Sequence, residues 1–252
     1  MESFNITDLN LLQWITAFLC SMLIGMNKVG IAGIGLLVVV LLADIFGGKS
    51  SSGILLPILN FADIFAVTYY HKSAKWQFII KLLPWTFIGI IIGLIVGSWV
   101  SDRIFKTIIG IVVLISITIM FIREINKNEL KIPDYRWFAA IMGLAGGFTT
   151  MIGNAAGSVM ALYLLSMKLP KNSYIGTSAW FFMIVNLIKI PLHLFIWKTI
   201  TFKSFLFDIA LIPAIILGGI LGILIVKRIP EKPYRYFIMA ITAVSSIILF
   251  IR

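Results

Sequence analysis

The chain has 252 residues, of which 60% are hydrophobic and only 12% are charged. This apolar share leaves too little polar surface to face water, so the composition excludes a soluble protein. The net charge of +11 would suit nucleic-acid binding, but the Lys and Arg residues lie mostly between apolar segments or at their ends, so no nucleic-acid partner is expected.

The first two apolar segments form a predicted pair of helices separated by a polar break. We predict helices over Leu11–Met26 and Val29–Phe46, which start and end on one membrane face as a re-entrant or hairpin pair. The break lies within Gly25–Gly35, which carries several glycines. A helix broken inside a membrane frees backbone groups that lipid cannot satisfy, so the break must be buried in protein or line a watery cavity.

Candidate substrate ligands in this break are Asn27, Lys28, Gly30 and Gly33. Burying a lysine charge in a bilayer costs about 3 kcal/mol or more, so the Lys28 ammonium would attract an anion, reach the interface, or pair with Asp63. The two glycines would let N–H groups at a half-helix start approach a ligand, and they would equally allow close helix packing. The sequence alone leaves these alternatives open.

Three apolar segments follow, each close to the roughly 20 residues that cross the hydrocarbon core. We predict crossings over Ile54–Tyr70, Phe78–Val100 and Ile104–Ile122. The first crossing carries Asn60 and Asp63, which share a helix face because they are three residues apart. Asp63 would be a protonatable gate or coupling group, with Asn60 beside it.

A polar linker at 124–135 separates this first membrane repeat, residues 1–123, from a second repeat at 136–252. The second repeat opens with another predicted broken pair, Trp137–Ile152 and Ala155–Met167. Its break offers further candidate substrate ligands, which are Thr149, Thr150, Gly153 and Asn154. The threonine and asparagine side chains would donate hydrogen bonds to a ligand or satisfy the broken backbone.

Three predicted crossings complete the second repeat, over Tyr174–Trp197, Ser204–Val226 and Tyr236–Ile251. His193 lies near the end of the first of these segments, and Asp208 lies near the start of the second. For both side chains we expect an ordinary location at the membrane interface.

Two further candidate ligands, Asn186 and Lys189, share a face of the Tyr174–Trp197 crossing because they are three residues apart. Pro191, two residues later, would loosen the helix and free backbone carbonyls. Lys189 would contact an anion, or it would form a salt bridge with Asp63 across the pseudo-symmetry axis of the two repeats.

The two halves share residues at constant spacings, which indicates an internal duplication. The matches are Pro84, Gly89 and Gly93 with Pro213, Gly218 and Gly222 at one spacing, and Gly25 and Gly35 with Gly147 and Gly157 at another. Each half contains three full crossings, which is an odd number, so the second repeat would be inverted relative to the first.

Lys and Arg residues are concentrated in the loops at 72–75, 123–136, 168–171 and 227–235. The topology above places these four loops on one membrane face, and the positive-inside rule makes that face cytoplasmic. We therefore expect a multi-pass protein of the cell's inner (plasma) membrane, with both termini extracytoplasmic.

Enzyme signatures are absent from the sequence. It has no His-Glu-x-x-His zinc motif, no Gly-x-Ser-x-Gly nucleophile elbow, no phosphate-binding P-loop and no Cys/His cluster. We therefore predict no catalytic residue, no metal and no cofactor, and we expect that the protein is not an enzyme.

Several motifs follow one another in order along the chain, namely Gly25–Gly35, Asp63–Val67 leading to Tyr70 and Trp76, the Pro84, Gly89 and Gly93 series, and Gly153–Gly157. In this order and spacing the chain resembles the TauE/SafE sulfite exporter family, also called the TSUP family of anion permeases. The resemblance implies export of sulfite or of an organosulfonate such as sulfoacetate, with proton coupling. It also implies that the site includes Asn27, Lys28, Asn154 and Lys189.

These observations predict an all-helical integral membrane protein with two inverted repeats, each a broken or re-entrant helix pair followed by three transmembrane helices. Its function would be secondary transport of a small anion, bound near the midplane where the two breaks meet. A passive anion channel and a membrane-embedded enzyme are the alternatives. The expected partners are the small anion and the lipid bilayer, and the sequence leaves a homo-oligomer open.

Overall fold

The computed structural model describes residues 9–99, 136–231, 233–234 and 236–241, with single residues 101, 104, 107, 111, 118 and 244. This part of the chain is helical and contains no strand. The predicted linker lies outside the described residues, as do most of the predicted crossings Ile104–Ile122 and Tyr236–Ile251.

The described helices, in chain order, are α1 (Leu11–Lys28), α2 (Ile34–Phe46), α3 (Gly48–Tyr70), α4 (Trp76–Trp99), α5 (Arg136–Gly153), α6 (Gly157–Ser166), α7 (Lys171–Pro191), α8 (Phe202–Ala210) and α9 (Ile212–Arg228). A 3-10 turn at His71–Ser73 follows α3, and a π-helical turn at Leu192–Ile196 follows α7. The π-helical turn begins directly after Pro191, where the sequence predicts a loosened helix.

Three described helices are long and apolar enough to cross a membrane, over Lys49–Ser73, Trp76–Trp99 and Lys171–Ile196. The protein is therefore membrane-embedded. The predicted crossing over Ser204–Val226 is interrupted, because α8 and α9 meet at a 45° bend. Pro213, the second residue of α9, has no N–H to continue the helical hydrogen bonds, and its ring excludes the carbonyl four residues earlier.

Both predicted breaks are present, with slightly different bounds. The first runs from Val29 to Gly33, where Gly30 has a φ of 119° and Gly33 a φ of 101°. Residues with a Cβ rarely adopt this conformation, so the two glycines let the chain reverse between α1 and α2. The second break lies between α5 and α6, where Asn154 has a φ of 54°. The short helices α2 and α6 therefore begin inside the protein.

Two pairs of helices pack closely through glycines, α1 on α9 and α4 on α5. At most of these glycines an added Cβ would collide with the backbone of the facing helix, and at Gly93 it would lie 2.9 Å from the Met151 Cβ, so glycine allows this approach. Three contacts between α4 and α5 have counterparts between α1 and α9. The contact of Gly89 with Leu144 matches that of Gly218 with Met22, the contact of Gly93 with Phe148 matches that of Gly222 with Met26, and the contact of Gly147 with Thr86 matches that of Gly25 with Ile215. The α1 and α5 residues differ by one constant spacing, and the α4 and α9 residues differ by another. Equivalent helices of the two halves thus pack through equivalent residues.

The helices α3 and α7 pack against each other between these two pairs. They carry the Asn60 and Asp63 pair and the Asn186 and Lys189 pair at equivalent positions of the two halves. Their contact brings the polar residues of both halves next to the two breaks.

Candidate functional site

The two breaks open onto one small cavity between α1, α3, α5 and α7. Its volume is about 40 Å³, which is room for about three water molecules. The polar and glycine residues that line it are Asn27, Lys28, Gly33 and Gly35 at or beside the first break, Thr150, Asn154 and Gly157 at or beside the second, and Asn186 from α7. Candidate ligands from distant parts of the sequence therefore meet in one place.

Lys28 forms a buried ion pair at the edge of this cavity. Its Nζ lies 2.8 Å from Asp63 Oδ1, and the two side chains are 5% and 0% exposed. The same ammonium lies 4.4 Å from the centroid of the Phe182 ring. Lys28 therefore pairs with Asp63, as one of the sequence alternatives predicted, while still lining the cavity.

Lys189 is completely buried and donates hydrogen bonds to three neutral oxygens. Its Nζ lies 3.0 Å from Thr150 Oγ1, 2.5 Å from Asn154 Oδ1 and 3.3 Å from Asn186 Oδ1. These acceptors use all three N–H donors of the ammonium. The salt bridge between Lys189 and Asp63, which the sequence left open, is not formed, since Asp63 pairs with Lys28 instead.

Asn186 connects the two charged groups. Its Oδ1 accepts from Lys189, and its Nδ2 donates to Asp63 Oδ2 at 2.7 Å. The described network thus runs from Lys28 through Asp63 and Asn186 to Lys189. Thr150 occupies the α5 position equivalent to Lys28 in α1, so the contact between Thr150 and Lys189 is the counterpart of the contact between Lys28 and Asp63.

This network contains more positive than negative groups. Two lysines and a single carboxylate meet within it, and Lys189 has only neutral acceptors among the described residues. A buried ammonium is stable when a negative charge balances it, because burial removes its hydration. An anion in the adjacent cavity would provide the missing negative charge.

The N-termini of both half-helices lie at the same cavity. Neither α2 nor α6 has a side-chain hydrogen bond at its N-cap, and Gly33, Gly35 and Gly157 all line the cavity. Helix N-termini carry free N–H groups and partial positive charge, which favour anions. Asn27 Oδ1 accepts from the Gly35 N–H at 3.2 Å, and this bond holds Asn27 across the break.

Six of the predicted site residues lie outside this cavity lining; Asp63 and Lys189 belong to the network above, and the other four do not. Asn60 donates to Leu56 O at 2.9 Å, and Thr149 donates to Ala145 O at 2.7 Å, so both bond to their own helices. Gly30 accepts a hydrogen bond from Tyr234, and Gly153 is the last residue of α5. The structure brings together Asn27, Lys28, Gly33, Thr150, Asn154, Asn186 and Lys189, with Asp63 paired to Lys28.

Sequence reasoning missed several features around the site. Gly157 at the start of α6 faces open space, and Ser52 of α3 accepts from Asn154 Nδ2 through its carbonyl oxygen at 3.2 Å. The side chains of His193 and Asp208, for which the sequence predicts an interfacial location, are completely buried inside the protein. The paired glycine spacing could have identified Gly157, whereas the burial of the other residues depends on packing.

The comparisons with known proteins give one finding. A family model described as "Sulfite exporter TauE/SafE" matches residues 15–249, which include both breaks and every residue of the network above. No curated protein and no solved structure matches the chain.

Proposed function

The chain belongs to the sulfite exporter TauE/SafE family of membrane transporters, and from this premise we propose that it is a secondary transporter that exports a small anion across the inner membrane. The substrate is sulfite or a small organosulfonate such as sulfoacetate. The observation that carries the proposal is the unbalanced positive charge of Lys28 and Lys189 beside a cavity where two half-helices begin. Transport, rather than catalysis, is the activity that this arrangement supports.

The binding mode follows from the donors around the cavity. The anion would accept hydrogen bonds from the free N–H groups at the starts of α2 and α6, which would replace part of its hydration. Lys189 would supply the balancing charge through Thr150 and Asn154, which line the cavity and accept hydrogen bonds from its ammonium. Asp63 would keep Lys28 in place without cancelling the second positive charge.

The size of the cavity favours sulfite over the longer organosulfonates. About 40 Å³ accommodates about three waters, and sulfite has only four non-hydrogen atoms. A sulfonate with a carbon chain would require the cavity to widen. Sulfite is therefore the first substrate to test.

The matched glycine interfaces support alternating access by two inverted repeats. Equivalent helices pack through equivalent residues, so α1 with α9 and α4 with α5 would exchange roles when the site opens to the other face. Rocking of one repeat against the other would then move access across the bound anion. The lysine-rich and arginine-rich loops would face the cytoplasm, and both termini would face outward.

Sulfite binding and flux by the purified protein in liposomes test this proposal. We expect saturable uptake of labelled sulfite that unlabelled sulfite preloaded inside the liposomes stimulates by exchange. Lys189→Met should weaken sulfite binding about 10- to 150-fold, because it removes a charge-assisted interaction worth about 1.5–3 kcal/mol. Lys72→Met, at an exposed loop lysine, is the matched control and should bind like the unmodified protein.

Three results would contradict the proposal. Equal sulfite affinity in the Lys189 and Lys72 variants would exclude the charge of Lys189 from the site. Conductive flux without saturation or exchange would identify a passive channel. Chemical conversion of the anion by the purified protein would identify an enzyme.

A further inference from the structure

Asp208 is a buried carboxyl group that belongs neither to the lysine network nor to the cavity lining. Its side chain is 0% exposed, and neither carboxylate oxygen has a hydrogen-bond partner among the described residues. The buried face of α8 consists of Ser204, Phe207 and Asp208, whereas the remaining residues of the helix are exposed. Asp208 therefore points into the protein and not toward lipid or water.

The surroundings of Asp208 are apolar. Phe207 and Leu211, on the same face, belong to a buried cluster with Ile215, and the Phe207 ring lies 4.9 Å from the Trp14 ring. The nearby Ser204 hydroxyl donates to the carbonyl oxygen of Thr201 at 3.0 Å. No polar side chain that the structure describes here compensates the carboxyl group.

The titratable groups on the elements around α8 provide no countercharge either. Among those described, none donates a hydrogen bond to Asp208. Lys28 and Asp63 pair with each other, Lys49 lies over Trp197, and Lys227 lies over Tyr69. The other groups are the exposed Lys203 and Arg228, the buried Cys20, and Tyr69 and Tyr70, whose rings meet edge to face. Asp63, which the sequence predicts as a coupling group, thus already has Lys28 as its ion-pair partner.

The repeat shows that packing does not require a carboxyl group at this position. The spacing that relates Gly89 to Gly218 relates Ile79 of α4 to Asp208. Ile79 is also 0% exposed, so an apolar side chain fills the equivalent core position. The helix around Ile79 is continuous, whereas the helix around Asp208 bends by 45° at Leu211. The carboxyl group and the bend are both specific to the second half.

An isolated carboxylate is unfavourable in such a place, because burial removes its hydration and nothing described here replaces it. Binding of a proton neutralises it through one O–H bond and needs no other ligand. A metal cation would need several oxygen ligands, and no cluster of three or more acidic, His or Cys residues occurs in the described part of the chain. The chemistry of the position therefore selects a proton.

We propose that Asp208 is a proton-binding site that couples anion transport to proton movement. Asp208 takes up one proton as –COO⁻ + H⁺ to give –COOH, and it is protonated in the buried state seen here. A change in the bend at Leu211 exposes the carboxyl group to water, where it releases the proton. The inference rests on the proposed transport function, but its site is separate from the anion cavity.

Equilibrium accumulation of sulfite in proteoliposomes tests the proposal. With the membrane potential clamped at zero, a gradient of one pH unit drives about tenfold accumulation of sulfite if one proton is coupled to each anion. Sulfite accumulates on the acidic side if the proton moves in the opposite direction, as export driven by proton entry requires, and on the alkaline side if both move together. The equilibrium accumulation does not depend on the orientation of the protein in the liposome membrane. Protein-free liposomes correct for passive entry of protonated sulfite. We expect Asp208→Asn and Asp208→Ile to retain sulfite exchange but to lose the tenfold accumulation. Glu231→Gln, at an exposed carboxylate, should retain both.

Infrared difference spectra of the unmodified protein keep the test decisive if either Asp208 variant folds poorly. We expect a band from a buried protonated carboxylic acid that disappears in alkaline solution and is absent in Asp208→Asn. Unchanged accumulation in both variants, or the absence of this band, would overturn the role of Asp208. Failure of the unmodified protein to bind sulfite would instead overturn the proposed function.

Discussion

Adding a single methyl group at Gly157 should weaken anion binding without lowering the stability of the fold. Gly157 is the first residue of α6 and lines the cavity, and a Cβ built there meets no protein atom within 4 Å. The methyl group of Gly157→Ala would therefore point into the space that the anion is proposed to occupy. Alanine also has a higher helix propensity than glycine, by up to about 1 kcal/mol, so the variant should be at least as stable as the unmodified protein.

The expected loss of affinity follows from the size of the cavity. A methyl group is about as large as a water molecule, so it removes about a third of the 40 Å³. Overpacking by one such group costs about 1–3 kcal/mol, which corresponds to sulfite binding that is about 5- to 150-fold weaker. Isothermal titration with sulfite measures the affinity, and thermal unfolding in the same detergent measures the stability.

Gly146→Ala is the matched control for this experiment. Gly146 lies in the interior of α5 outside this cavity, and its nearest contact for an added Cβ is Val159 at an ordinary 3.8 Å. The control should bind sulfite like the unmodified protein. Unchanged affinity in Gly157→Ala, in a protein that binds sulfite, would refute the location of the anion at the start of α6.

Two further substitutions test the ion pair and the glycine interfaces. Asp63→Asn leaves the buried Lys28 ammonium without its carboxylate and should lower the free energy of unfolding by about 3–5 kcal/mol. The double variant with Lys28→Met should recover stability. Equal stability of the single and double variants in denaturant unfolding would contradict the pairing. Gly218→Ala would place a Cβ against the Met22 backbone and should prevent stable folding. A monodisperse variant with unchanged thermal unfolding would instead show that α1 and α9 do not approach so closely.

The sequence predicts the helical class and the two breaks correctly because these depend on local properties. Long apolar segments can satisfy their backbone in lipid only as helices, and glycines at 30 and 33 permit the positive φ angles of the first break. Spacing of three residues also placed Asn186 and Lys189 on one face of α7, where both now join the same hydrogen-bond network. These inferences need no knowledge of neighbouring helices.

The interior location of polar residues in the second half is not encoded locally. Asp208 lies close to a helix start, so hydropathy assigns it to the interface, but packing of α8 against α3 buries it. The bend at Leu211 lies beside Pro213, while the equivalent Pro84 lies within the continuous helix α4. Local chemistry at the two prolines is alike, and the surrounding structure decides whether the helix breaks.

The sequence by itself determined that this chain is a membrane-embedded helical protein, in which two interrupted segments carry polar residues that lipid would reject. Tertiary structure alone decided that Lys28, and not Lys189, pairs with Asp63, and that Lys189 is surrounded by neutral oxygens. The reason is physical: hydrophobicity and backbone preference act along the chain, whereas the partner of a buried charge depends on which helices approach within about 3 Å of it.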